Sequence, residues 1–259
     1  MVVSNLRVVL KAFADGQIFG QVFGDGTPQI VWLHGWGRSS DDFVRIGELL
    51  ASQGVTSVAL DMPGFGASPL PPFTGGAREY AHYLEPILKS IVGSRPVVVV
   101  GHSFGGRVAV VLGARQPQMF QHIVFTGAPL LARTGGSRKS PVSYRAIRRL
   151  AKWRLISEGR LEEAKQKYGS ADYRAASGQL RDILVATLAE RYEEDLAKLS
   201  TPVTMFWGAD DTDVPVDVAQ RALALIGTPG ALQVIEGVGH LTPTQAVDEM
   251  AKLVSKVVA

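Results

Sequence analysis

Apolar positions along the chain fall into two kinds of run that take turns. Short runs rich in valine, isoleucine and aromatic residues occur at 29–33, 55–60, 97–100, 122–127, 202–207 and 231–235. Continuous apolar runs of that length read as strands covered on both faces. Between them, apolar residues recur at helical spacing. Phe43, Ile46, Gly47 and Leu50 make one such stripe, closed by Gly54. Tyr80, Tyr83, Leu84, Ile87, Leu88 and Ile91 make another, in which Pro86 is expected to kink the helix. Residues 107–115 and 216–226 make two more. Ser39-Ser40-Asp41-Asp42 offers capping groups and negative charge at the start of the first helix. Thr242-Pro243 reads as an N-cap followed by proline at the first helical position of the last helix. Near the N-terminus, β-like runs at 6–13 and 17–23 meet at Asp15-Gly16, a hairpin signal. Strand and helix in alternation specify an α/β fold with a mostly parallel sheet and helices on both faces.

The alternation stops from Arg133 to Leu199, where no strand candidate appears. The expected organisation is therefore a core of residues 1–132 and 201–259, with residues 133–200 inserted as a helical cap. That insertion is also where the charge lies. Between Arg133 and Arg160 there are nine basic residues and one acid, in a chain whose net charge is only +3. Arg145, Arg148, Arg149 and Lys152 fall at i, i+3, i+4 and i+7, a single stripe of like charge that costs helix stability unless something anionic faces it. Two readings stand side by side: a solvated outer face, or a docking stripe for an acyl-carrier protein, an acidic substrate tail or a membrane surface.

Composition bounds the rest. At 259 residues and 46% hydrophobic, the chain fits one large domain with an insertion. It has no cysteine, which excludes disulfides, thiolate chemistry and Cys-ligated metal, and fits a reducing compartment. No secretory signal and no apolar stretch approaching a membrane span is visible, so a cytoplasmic location is expected. A net charge of +3 without a recognition motif implies no nucleic-acid partner.

The chemistry centres on Val97-Val98-Val99-Val100-Gly101-His102-Ser103-Phe104-Gly105-Gly106. A buried strand, Gly-x-Ser-x-Gly and an apolar helix in immediate succession form the context of a nucleophile elbow. The serine must sit on a strained turn, and glycines flank it where a Cβ would strike neighbouring backbone. Its hydroxyl needs a base, and the base needs an acid to hold its tautomer. Of five histidines, His240 in Gly237-Val238-Gly239-His240 follows the last strand and can reach over the sheet edge. His82 reads as a surface residue, His122 as a strand residue away from the elbow, and His102 as pointing away from its serine neighbour. The acid falls in Asp210, Asp211 or Asp213, directly after a strand, among which spacing alone does not choose. The order serine, acid, histidine is that of α/β-hydrolases and not of chymotrypsin-like or subtilisin-like enzymes.

From His34-Gly35 to His240 the chain resembles the α/β-hydrolase superfamily. The residues that carry the likeness are His34-Gly35-Trp36-Gly37, Asp61-x-Pro63-Gly64-x-Gly66-x-Ser68, Gly101-His102-Ser103-x-Gly105-Gly106, Gly208-x-x-Asp211-x-x-Val214-Pro215 and Gly239-His240. The resemblance implies an eight-stranded, mostly parallel sheet. It also implies Asp211 as the acid, the backbone N–H groups of Trp36 and Phe104 as the oxyanion hole, and His34 as a loop-shaping residue. Serine at position 103 argues against haloalkane dehalogenases and epoxide hydrolases, which carry aspartate there. The loop and cap are most similar to small bacterial carboxylesterases, which implies a Ser103–Asp211–His240 triad, an acyl-enzyme route, a small-molecule ester substrate, and no metal or organic cofactor. Perhydrolysis, carbon–carbon bond hydrolysis on the same triad, and a non-catalytic ligand-binding role stay open.

Overall fold

The computed structural model describes residues 9–132 and 171–258. The basic stripe Arg145, Arg148, Arg149 and Lys152, and most of the expected cap, lie outside the described residues. Eight strands form one sheet: β1 (Val9–Phe13), β2 (Ile18–Phe23), β3 (Ile30–Leu33), β4 (Ser57–Asp61), β5 (Val97–His102), β6 (Phe120–Thr126), β7 (Val203–Gly208) and β8 (Gly230–Ile235). Their order is β1-β2-β4-β3-β5-β6-β7-β8. β1 and β2 are antiparallel to their neighbours, and β3 to β8 run parallel. The hairpin expected at Asp15-Gly16 turns through left-handed Ala14, Asp15 and Gly16.

The four valines of β5 show why such a run reads as a strand covered twice. Val97 and Val99 pack into one core with α2 (Ala77–Val92) and α3 (Phe104–Arg115). Val98 and Val100 pack into the other, against α1 (Val44–Ser52) and the last helix. All six β5 residues are buried. By contrast β8, at the sheet edge, is exposed or half-buried throughout. The site is positioned by strand order. The chain steps from β3 to β4 on one side, then crosses to β5 on the other. In open α/β sheets the crevice at the carboxyl ends of two such strands is where ligands bind. Trp36 follows β3 and Ser103 follows β5.

Three short elements separate β6 from β7 among the described residues: α4 (Ala171–Ala175), α5 (Gly178–Ala189) and α6 (Glu193–Lys198). After β7 come α7 (Val216–Leu223), α8 (Thr242–Gln245) and α9 (Val247–Val258). α2 runs without a break from Ala77 to Val92 through Pro86. Ser39 caps the turn before α1 as expected, its side chain accepting from the Asp41 N–H. Thr242 departs from its reading. It is the first residue of α8, with Leu241 at the cap position, and the terminal helix is split in two at Ala246. The Thr242 hydroxyl is therefore not on a helix-end amide; it bonds the Thr126 hydroxyl across the core. Among the described residues no helix is long and apolar enough to cross a membrane.

Candidate active site

Ser103 takes φ 49° and ψ −107°, in the left-handed half of backbone space where residues with a side chain are strained. The neighbours show what enforces it. A Cβ on Gly105 would collide with the Leu33 carbonyl, and one on Gly101 would lie 2.6 Å from the Gly105 oxygen. The turn is pinned by the Ser103 N–H donating to Thr126 O (2.9 Å) and the Gly105 N–H donating to His34 O (3.0 Å). The hydroxyl is left half-exposed at the start of α3.

His240 Nε2 lies 3.2 Å from Ser103 Oγ, and His240 Nδ1 lies 2.8 Å from Asp211 Oδ2. The Asp211 carboxylate only accepts, so Nδ1 carries the proton and Nε2 presents its lone pair to the serine hydroxyl. Asp211 Oδ1 accepts from the Asp213 N–H (2.9 Å) and the Val214 N–H (2.7 Å), which fixes the carboxylate plane. Its side chain is fully buried, whereas that of His240 is one-fifth exposed. Asp210 and Asp213 sit on the exposed side of the same turn. Of the three aspartates, it is Asp211 whose carboxylate accepts from His240 Nδ1.

The loop that follows β3 is organised by His34. The Met62 N–H donates to its Nε2 (2.9 Å), so Nδ1 is the protonated nitrogen and donates to Gly35 O (2.7 Å). Burial lowers its pKa and keeps it neutral, which suits a fixed hydrogen-bonding bracket and not a base. A Cβ on Gly35 would sit 3.4 Å from Ser103 Cβ, so the loop passes directly over the nucleophile. Among the described residues neither the Trp36 N–H nor the Phe104 N–H donates to a protein acceptor. The Trp36 ring meets the rings of Phe65 (5.0 Å) and Phe104 (5.2 Å) edge-on. It also packs against Tyr173 of α4, Leu184 of α5 and Ala176 between them.

The remaining histidines fall apart from the triad, with one addition. His82 is exposed, and His122 bonds Thr204 Oγ1 (2.9 Å). His102 points away from Ser103, but its ring lies 5.0 Å from that of His240. Burial holds it neutral, at about 3, with Nδ1–H donating to Thr126 O (3.1 Å). Sequence reasoning also passed over Gly127 and Asp172. A Cβ on Gly127 would come within 2.9 Å of the His240 ring, so glycine there makes room for the base. Asp172 on α4 feels both Asp213 and His240; partial desolvation and the Asp213 charge push its carboxyl up. A lone glycine after a strand is the only signal for the first, and nothing local marks the second. Among the described residues no cluster of His, Asp and Glu could hold a metal ion.

The sequence pattern of the alpha/beta hydrolase family matches residues 30–253. The chain belongs to that family. It is 29% identical over 246 residues to a 2-hydroxy-6-oxononadienedioate/2-hydroxy-6-oxononatrienedioate hydrolase of Cupriavidus pinatubonensis, covering 84% of this chain and 82% of that protein. It is 27% identical to a pimeloyl-[acyl-carrier protein] methyl ester esterase of Chromobacterium violaceum, covering 77% of this chain and 82% of the esterase. Among solved structures, the 2-hydroxy-6-oxo-6-phenylhexa-2,4-dienoate hydrolase of Rhodococcus superposes with a TM-score of 0.70 at 20% identity, covering 98% of this chain and 99% of that one. That likeness carries the alpha/beta hydrolase fold. One of these relatives is a hydrolase of oxo-dienedioates and the other a methyl ester esterase, so the family alone does not select the reaction.

Proposed function

We propose that this alpha/beta hydrolase cleaves carboxylic esters through an acyl-enzyme on Ser103. The observation that supports the reading is the continuous relay from Ser103 Oγ through His240 to Asp211, at 3.2 Å and 2.8 Å. In the first step His240 Nε2 takes the serine proton as Oγ attacks the ester carbonyl. The Trp36 and Phe104 N–H groups receive the oxygen as it becomes anionic, each such donor contributing about 3 kcal/mol of barrier lowering. The imidazolium then protonates the leaving alcohol. In the second step His240 takes a proton from water, which attacks the acyl-enzyme and frees the acid. Asp211 holds the ring's tautomer and stabilises its charge in both steps.

A second reading, hydrolysis of a carbon–carbon bond in a dienoate, draws support from the Cupriavidus relative. The charges on the described side of the site favour the ester. Asp172 lies within electrostatic range of Asp213 and of His240, so acidic groups stand on this side of the site and work against a dicarboxylate substrate by like-charge repulsion. The test is a panel of p-nitrophenyl esters of increasing acyl length, run beside aryl esters, an acyl-carrier methyl ester and a chromophoric dienoate. Ser103→Ala is expected to abolish ester turnover, and wild-type Ser103 to gain the mass of a fluorophosphonate label. Dienoate cleavage without ester cleavage selects the second reading. A folded chain that neither turns over nor takes the label favours the non-catalytic, ligand-binding reading.

A further inference from the structure

The relay explains how the base is activated but not what keeps it over the nucleophile. His240 rides on the loop between β8 and α8, remote in sequence from the elbow. The acid's side of that loop is well anchored: the Asp210 N–H donates to Val238 O (2.9 Å) and the Ala209 N–H to Ile235 O (2.9 Å). On the nucleophile's side the tie runs through one residue at the end of β6. Thr126 O accepts from the Ser103 N–H and from His102 Nδ1–H. The Thr126 hydroxyl is bonded to the hydroxyl of Thr242, and both side chains are completely buried. Thr242 follows the base by two residues, and its N–H donates to His240 O (3.0 Å).

We propose that Thr126 is a positioning residue for the triad, joining the serine turn to the histidine loop by its carbonyl on one side and its hydroxyl pair with Thr242 on the other. The carbonyl sets where Ser103 sits. The hydroxyl sets where the loop carrying His240 starts to turn into α8. Neither atom touches substrate. The role follows from chemistry as well as position. A hydroxyl pair is short and directional, and in a dry setting neither partner has water to turn to, so it holds the two segments in one arrangement. A valine has the same shape and would fill the space without specifying that arrangement. The residue after it is glycine because the ring it helps to place lies against that backbone.

This inference rests on the triad reading, and the test separates the two. The readout is the second-order rate at which a fluorophosphonate labels Ser103, which depends on nucleophile activation and not on acyl specificity. It is followed across pH beside the thermal midpoint. Thr126→Val is expected to slow labelling at least about tenfold, since displacement of a catalytic group by a fraction of an ångström is costly and 1 Å can cost about a hundredfold. Thr126→Ser, which keeps the hydroxyl, restores the rate. Thr126→Val with Thr242→Val removes both polar atoms, so the thermal midpoint recovers toward wild type while labelling stays slow. Labelling that recovers together with the midpoint in the double variant, or that is unchanged in Thr126→Val, overturns the proposal and leaves the triad standing. A folded wild-type chain that takes no label overturns the triad and the proposal with it.

Discussion

At the carboxyl ends of β3, β5 and β6 the site rests on main chain. Gly101, Gly105 and Gly127 each bring backbone or the His240 ring closer than a Cβ allows, and the fixing bonds are N–H to carbonyl. The helices α4 to α6 bury Ile183 and Leu196 in the main core, and their polar ties run through long side chains. Arg107, one turn beyond the nucleophile, donates from Nη1 to Thr187 O (2.7 Å) at the end of α5. Tyr192 has the guanidinium groups of Arg78 and Arg107 against its ring, each 5.7 Å from the centroid. Its hydroxyl donates to Glu190 (2.6 Å), and Arg78 pairs with Asp195 through both its terminal nitrogens. Gln179 reaches Pro71 O and Phe73 O. The contrast is between a floor that tolerates no added atom and a roof held by tethers. The floor fixes what chemistry can happen.

Four substitutions or titrations probe that contrast. The largest effect is expected for Asp211→Asn. The amide oxygen keeps the two N–H donors of Asp213 and Val214, so the NH2 must face His240 Nδ1. The ring is then driven into the tautomer with its proton on Nε2, where it cannot accept from Ser103. Labelling of Ser103 should fall about 10⁴-fold in a protein that melts near the wild-type temperature. Gly105→Ala comes next, because its methyl group meets the rigid Leu33 carbonyl and not a movable side chain. Chemical denaturation should show a loss of about 3 kcal/mol or more, and a wild-type midpoint would break the picture of a main-chain floor.

Acid titration reads the same floor through His102. Its folded pKa of about 3 lies below the usual 6.5, so only the unfolded chain binds this proton between those values. Its contribution to stability is full above pH 6.5 and is lost as pH falls toward 3, at about 1.4 kcal/mol per pH unit. His34, lowered in the same direction by burial, adds to the trend. The thermal midpoint of His102→Asn, whose amide can still donate to Thr126 O, should fall less steeply over that range. The smallest effect is expected in the roof. Arg107→Met removes the donor from Thr187 O, costing about 1–3 kcal/mol, but also removes a buried charge that burial already disfavours. Turnover of a short ester should be nearly unchanged, with KM raised severalfold for long acyl chains. Equal losses on both substrates would erase the distinction between floor and roof.

The division also explains what could be read from the chain beforehand. Ser103, Trp36 and Phe104 lie inside contiguous motifs because a tight turn needs its glycines next to the residue it strains. β5 was legible for a similar reason: four valines admit a strand buried on both faces. Asp211 needed the family's spacing, since three aspartates on one turn differ only in which meets His240. Thr242 was misread because a threonine before proline has the pattern of a helix cap, whereas its partner lies 116 residues away in the chain. Thr126, Gly127 and Asp172 acquire their roles only through neighbours brought in by other strands and helices. Local patterning reports on local strain; it is silent about contacts that the fold makes at a distance.

The separation of 137 residues between Ser103 and His240 also bears on how the molecule comes into being. A chain grown as far as α3 has the serine but neither Thr126, whose carbonyl pins its turn, nor His240. The proton acceptor exists only after β7 and β8 have added to the sheet edge and the loop to α8 has closed. Contacts of such long sequence separation form late, because loop closure must precede them. The relay proposed for Ser103 therefore spans most of the chain, and a chain stopped short of residue 240 lacks its proton acceptor however well the elbow is made.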